Sequence, residues 1–282
     1  MDKRKLEEAF FKALMLASTL IVLGSLLAVI VAVVVRSAPA LSLSMLTQTP
    51  KGGYYLGKEG GILNAIAGSL YLVGGATVLA FAISLPVALY LEEYAGRSRF
   101  AAYARLFLDV SWGVPSIVYG VFGFTIMLYL GLKASLIGGL VTVALFEIPI
   151  MVRVMDEVLR MVPLELREAS YALGSTRLET AINVMVKQAL PGILTALLLA
   201  FGRGIGDAAS VLFTAGYSDY IPTSFSDPAA TLPLAVLFQL GTPFPEVQMR
   251  AYASAAVLMI IVLSLSMGSR FLSRRLTRYV VR

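Results

Sequence analysis

Apolar residues in this chain neither alternate at the period of a strand nor keep to one stripe of a helix; for long stretches they run on without interruption. Such stretches lie near 12–35, 63–91, 106–132, 134–154, 188–215 and 251–271. Each can cross about 30 Å of hydrocarbon as a helix, which takes about 20 residues. A segment in lipid must satisfy its backbone polar groups internally, so helices are the expected form. The pattern predicts an all-α integral membrane protein with six transmembrane helices, built as a single transmembrane domain over residues 1–282. The first run, Ala13 to Val35, is too long for the apolar core of a signal peptide, so it reads as a retained helix, although Ala38-Pro39-Ala40 after it resembles a cleavage site. Pro86, Pro115 and Pro149 fall inside the second, third and fourth runs and predict kinks there.

The polar intervals set the orientation. Lys3, Arg4, Lys5 and Lys12 form an N-terminal basic cluster that belongs on the cytoplasmic side. An even number of crossings then returns the C-terminus to the same side. Arg97, Arg99, Arg105, Arg153, Arg160, Arg167, Arg177 and Lys187 fall there too, with Arg270, Arg274, Arg275, Arg278 and Arg282 of the tail. Outside are left Arg36, Lys51, Lys58, Lys133 and Arg250. Two outer segments are long: 36–62, with Gly52-Gly53 and Gly60-Gly61, and 216–250, which is rich in proline. They read either as docking surfaces for an external partner or as plain polar linkers.

Composition narrows the chemistry. The chain has 282 residues, of which 58% are hydrophobic and 14% charged, with a mean hydropathy of +0.83. Lipid is the solvent for most of it. With no Cys and no His, disulfides, thiolate chemistry, imidazole catalysis and the usual zinc sites are excluded. The net charge of +6 does not point to nucleic acid, because the basic residues sit in short loops between apolar runs.

Residues 155–187 are the one sizeable polar stretch expected on the cytoplasmic side. Pro163 suits a helix start, Leu166, Ala169, Ser170 and Leu173 share a face at helical spacing, and Gly174 suits the position after the helix end. Thr176 with Glu179 then fits a capping box leading into the fifth membrane helix. By amphipathicity alone the short helix could equally lie along the lipid headgroups. The residues Glu168-Ala169-Ser170, Gly174, Val184 and Leu190-Pro191-Gly192 resemble the EAA loop of ABC importer permeases, a coupling helix that seats in the ATPase subunit. The chain departs from that pattern at Ser170, Val184, Val186 and Lys187. Further segments are similar to the PstA-type permeases of phosphate importers. They are Gly60-Gly61-Ile62, Asn64-Ala65-Ile66, Gly68-Ser69, the run from Tyr90 to Ala95, and the run from Val114 to Gly120.

Ionised side chains inside lipid cost roughly 2.5–3.5 kcal/mol each, so each needs a reason. Arg203 and Asp207, at i and i+4 in the fifth run, are expected to share a helix face and reach each other, with Gly202, Gly204 and Gly206 leaving room for a solute. Two readings stand: Arg203 takes phosphate oxygens while Asp207 holds it when the path is empty, or the two form a structural ion pair. The resemblance implies the first, since phosphate permeases have a similar Arg and acid here. Glu147 either faces the pore, pairs with a partner or reaches water near the cytoplasmic end, and Asp109 is expected to reach water from the first turn of the third helix. Trp112 and the tyrosines near helix ends read as interfacial anchors.

A lipid phosphotransferase would need clustered carboxylates, and the pairs Glu7-Glu8, Glu92-Glu93 and Asp156-Glu157 show no spacing that would bring them together. A secondary transporter or channel would show matching repeats, which are missing, although six helices could still belong to a half-transporter, so a non-ABC membrane transporter stays as an alternative. No GxxxxGK[ST] phosphate loop is present, since Gly57-Lys58 is followed by Glu59. The chain is therefore expected to be a transport subunit, not an enzyme, with no cofactor or metal of its own. The resemblance implies import of phosphate, with phosphonate, molybdate and sulfate as neighbouring substrates, across the cytoplasmic membrane of a prokaryote. It also implies the partners: a second, PstC-like permease, a PstB-like cytoplasmic ATPase dimer that binds ATP and Mg, and an external PstS-like phosphate-binding protein. Glu168, Ala169, Ser170 and Gly174 would serve coupling, and Arg203 with Asp207 the substrate path.

Overall fold

The computed structural model describes residues 3–51, 60–96 and 98–276. Gly52-Gly53, Gly57, Lys58, Glu59, Arg97, Arg278 and Arg282 lie outside the described residues. The described chain is a set of helices: α1 (Lys3–Ser37), α2 (Leu43–Thr47), α3 (Leu63–Leu89), α4 (Arg99–Gly113), α5 (Ser116–Tyr129) and α6 (Leu136–Arg160), then α7 (Leu164–Ala172), α8 (Arg177–Thr180), α9 (Lys187–Ile205), α10 (Leu232–Leu240) and α11 (Pro245–Leu276). A π-helical turn, Tyr90–Ala95, extends α3, and a second, Ala181–Val186, joins α8 to α9.

Five of these helical segments are long and apolar enough to cross a membrane: Glu7–Ser37, Leu63–Ala95, Leu136–Arg160, Arg177–Ile205 and Pro245–Phe271. The sixth run differs from expectation. It forms two helices, α4 and α5, that meet at 98°, where a single kinked span over 106–132 is expected from hydropathy. Pro115 stands at the junction as the residue before α5, and Val114 is extended with φ −69° and ψ 129°. A residue before proline is driven out of the α region, and proline itself offers no N–H to continue the ladder. Pro86 and Pro149, by contrast, lie inside continuous helices.

α3 and α6 pack along each other at the centre, with α9 beside both and α11 beyond α9. Small residues line the contact: Ala76 and Ala80 of α3, Ala144 of α6, and Ala196 and Ala200 of α9 are fully or almost fully buried. In lipid no hydrophobic force holds helices together, so close backbone approach does, and small side chains permit it. Many large apolar residues, such as Val78, Phe107 and Leu128, face outward as lipid-facing positions require, while Leu72, Ile150 and Met151 fill the interior.

Hydropathy also overextends the fifth helix, expected over 188–215. α9 ends at Ile205, and 206–215 fold as turns packed inside the bundle, where Val211 and Ala215 are buried. The outer segment expected over 216–250 likewise contains structure: α10 is a buried short helix capped by Thr231, and α11 begins at Pro245. The turns satisfy the open start of α6, where the N–H groups of Ser135, Leu136 and Ile137 donate to the carbonyls of Thr214, Asp227 and Phe225. Asn64 and Ser69 of α3 hold the same segment, Asn64 donating to the Ser218 carbonyl at 2.7 Å and Ser69 accepting from the Leu232 N–H at 2.8 Å. At Gly68 a side chain would collide with the Ala230 carbonyl.

Candidate functional site

Two places bring the sequence-derived candidates into view. The first is the end of α9. Gly202, Gly204 and Gly206 weaken the helix there, and Gly206 is its last residue in α conformation. Arg203 lies in the final turn, exposed, with its guanidinium 4.7 Å from the ring centroid of Phe146 on α6. Phe146 packs edge-on against Tyr119 of α5 at 5.8 Å. Three helices thus shape the surroundings of one cation.

Asp207 does not share a helix with Arg203, and the expected pairing is not made. Its carboxylate accepts from the Ser116 hydroxyl at 2.6 Å and from the Ser210 N–H at 2.8 Å. Ser116 opens α5, so the carboxylate sits at a helix N-terminus, where a negative charge is favoured. The acid ties the exit of α9 to the α4–α5 break and leaves Arg203 without a carboxylate among the described residues. The i, i+4 argument fails because the helix stops before it reaches position 207.

Glu147 is fully buried on α6, and neither of its oxygens has a hydrogen-bond partner. It reaches no water, contrary to one of its expected readings. Its carboxylate abuts Gly204, one residue from Arg203.

The second place is the cytoplasmic end expected from the basic residues. α7 follows Pro163, which precedes the helix rather than opening it, and closes at Leu173. Gly174 has φ +88°. Its N–H donates to the Tyr171 carbonyl at 2.9 Å and the Ser175 N–H to the Ser170 carbonyl at 3.2 Å, the Schellman arrangement that ends a helix on glycine. Thr176 and Glu179 form a full capping box at the start of α8. α7 buries no residue. Glu168 and Ala169 are exposed and Leu173 is 88% exposed, whereas Leu166 and Ser170 are half-buried, so the face expected to be apolar is only partly covered by this chain. The Ser170 hydroxyl lies 2.9 Å from that of Thr180, a link that alanine at this position could not make.

A charged cluster lies behind α7. Asp156, 1% exposed, is approached by Arg105 at 2.9 Å, Arg160 at 2.9 Å and Arg153 at 3.5 Å. Glu92 is 3.6 Å from Arg105 and 3.4 Å from both Arg160 and Arg167. The acidic pairs 92–93 and 156–157 thus meet at one end of the bundle, contrary to the expectation from spacing, and arginines bridge them. Among the described residues no group of acids is placed to hold a metal ion. Asp109 lies well inside α4, not in its first turn, and its carboxylate is 2.6 Å from Arg153 while remaining about half exposed. The spacing of Arg153, Asp156 and Arg160 along α6 was the legible signal for this hub.

The fold has counterparts among solved structures. In solved structures the chain resembles one subunit of the MetNI methionine ABC transporter, with TM-score 0.63 and 18% identity over 77% of this chain and 96% of that one. It also resembles a bacterial alginate ABC transporter determined with its periplasmic protein, with TM-score 0.67 and 14% identity over 99% of both chains. These likenesses show the fold. Residues 84–278 match the family of binding-protein-dependent transport system inner membrane components. The chain is 34% identical over 268 residues to a phosphate transport system permease protein PstA of Haemophilus influenzae, covering 95% of this chain and 94% of that one. It is 33% identical to its counterpart in Yersinia pestis, covering 91% and 86%, and 37% identical to PstA 1 of Mycobacterium tuberculosis, covering 78% and 72%. Fold, family match and near full-length identity agree: this chain is a multi-pass membrane protein of the binding-protein-dependent transport system inner membrane components, and within them it belongs to the PstA permeases.

Proposed function

We propose that this chain is the permease subunit through which an ATP-driven importer moves inorganic phosphate into the cell. The observation that carries the reading is the 34% identity along almost the whole length of a phosphate permease. A second homologous permease completes the path, a cytoplasmic ATPase dimer binds ATP and Mg and supplies the work, and an external phosphate-binding protein delivers the substrate. Both termini are cytoplasmic. The chain itself carries no cofactor.

α7 suits the coupling role. It projects from the bundle with Glu168, Ala169 and Leu173 uncovered, and its sharp glycine end presents the helix as a discrete knob. Ser170 and Gly174 fix that shape, through the Thr180 hydroxyl and the positive φ. ATP-driven closure of the ATPases would move α7 and rock the helices attached to it.

Arg203 suits anion passage. It is exposed on α9, has no carboxylate partner among the described residues and rests on an aromatic ring, so an arriving phosphate meets an available fork of donors. Asp207 serves the path indirectly, by fixing the α9 exit on Ser116. The test is ATP-dependent uptake of radiolabelled phosphate by proteoliposomes holding the complete complex. Arg203→Gln is expected to reduce uptake about tenfold or more, since a charged hydrogen bond is worth roughly 1.5–3 kcal/mol, with assembly and basal ATP hydrolysis retained. Undiminished uptake would return Arg203 to a structural role. Absence of wild-type phosphate uptake, with uptake of another oxyanion, would reassign the substrate.

A further inference from the structure

α7 is poorly anchored by packing: it buries no residue and is joined by short links to α6 and to α8. A push on such a helix would be lost in local bending unless something else fastened it. The fastening is electrostatic and leads to a helix that is not its chain neighbour. Arg167 of α7 donates to Glu93 at 2.7 Å and to Glu92 at 3.4 Å, and the Tyr171 hydroxyl donates to the other oxygen of Glu93. Glu93 is 4% exposed and Glu92 and Arg167 are 14% exposed. Burial, then the Glu93 carboxylate beside it, pushes the Tyr171 phenol up from its ordinary value, so it stays a donor.

Both acids stand in the π-helical turn that ends α3. Such turns are uncommon and concentrate at functional positions. The second oxygen of Glu92 continues the line to Arg105 of α4 and Arg160 of α6, and both arginines close on buried Asp156. Arg105 also donates to the Gly96 and Leu91 carbonyls at the same turn. An unbroken series of ion pairs therefore runs from α7 through the foot of α3 to α4 and α6. Exposed pairs contribute little, and Arg160 is 42% exposed, but the links among Arg105, Arg167, Glu92, Glu93 and Asp156 are enclosed and costly to break singly, because the survivor is left as an uncompensated charge.

We propose that the Arg167–Glu93–Tyr171 clamp makes α7 and the foot of α3 move as one body, so that α3, and not only the covalently attached α6 and α9, is driven when α7 is displaced. Glu93 and Arg167 are positioning residues for this transmission. The inference rests on the reading of α7 as the ATPase contact and deepens it.

The chain has no cysteine, so paired spin labels can be placed directly at Tyr90→Cys and Ala172→Cys, both exposed positions. In the assembled complex the label separation is expected to stay fixed between the nucleotide-free and ATP-bound states. With Glu93→Gln added, the distance distribution is expected to broaden and to shift on ATP binding. Phosphate moved per ATP hydrolysed is expected to fall several-fold while hydrolysis continues. Arg167→Lys, which keeps the charge, is expected to retain most of the coupling that Arg167→Gln loses, and Glu8→Gln, exposed on α1 away from the clamp, to change nothing. An unchanged distance and an unchanged transport ratio in Glu93→Gln would overturn the clamp, as would a fall in uptake and hydrolysis by the same factor. The distance measurement reads no substrate, so a wild-type complex that hydrolyses ATP without moving phosphate would count against the proposed substrate alone.

Discussion

Glu147 shows how much a single position can constrain a membrane helix pair. Its carboxyl is enclosed by α3, α6 and α9, beside the buried Thr77 hydroxyl, and its fit depends on Gly204 having no side chain. A Cβ at Gly204 would strike Glu147 Oε1 and approach Val73 at 3.0 Å. Gly204→Ala is therefore expected to destabilise the protein by about 1–3 kcal/mol through overpacking, measurable as a lower Tm in detergent. In a Glu147→Ala background the same change should become neutral or favourable by up to about 1 kcal/mol, the helix preference of Ala over Gly; a penalty that persisted would refute the contact. Asp227 shows a different residue-scale effect, on the outer segment. The N–H groups of Thr223 and Ser224 hold its carboxylate below the usual range. A depressed folded value means that the turn gains support above the unfolded pKa and loses it as pH falls through the folded one. Asp227→Asn should speed backbone amide exchange at Ser224 near neutral pH, whereas the wild-type turn should loosen only in acid.

Among elements, the boundaries with chemical punctuation were legible and those without it were not. The α7–α8 corner was readable because Gly174, Thr176 and Glu179 each have one physical use in that order. No neighbouring atom lies within 4 Å of a Cβ built at Gly174, so only its φ resists substitution. ATPase affinity is expected to fall in the order Gly, Asn, Ala, Val at this position, since Asn tolerates left-handed backbone and a branched residue does not; equal affinities would show that the turn is not needed. The α4–α5 break was legible only as a proline. Asp207, arriving from the end of α9, fastens it through the Ser116 hydroxyl. Asp207→Ala strands the Ser116 hydroxyl and the Ser210 N–H and should cost about 1–3 kcal/mol, with protease sensitivity rising around 206–210. Unaltered sensitivity would show that the break holds by itself.

For the molecule as a whole, lipid decides the arrangement. α1 is exposed along nearly its whole length and meets the rest of the chain along α11, where Arg36 lies 5.1 Å from the Tyr252 ring. The orientation proposed for it rests on charge placement. Cysteines introduced singly at Glu8, Leu173 and Arg270 should react with a membrane-impermeant maleimide only when the cytoplasmic face is open. Those at Gln48 and Tyr220 should react from outside. Reversed labelling would invert the topology.

By itself the sequence determined the all-helical membrane class and the exposed helix-turn-helix between α6 and α9, and its charge placement sets the expected sidedness. These rest on local properties: run length, charge and capping residues. Only tertiary structure decided that 206–215 are partly buried turns, that 232–240 form a short helix packed on α11, that Asp207 answers Ser116 and that Glu92, Glu93 and Asp156 converge. Hydropathy records how apolar a residue's surroundings are and is blind to whether they are lipid or protein. An ion pair between residues far apart in the chain leaves no periodic trace and exists only once packing has brought its helices together.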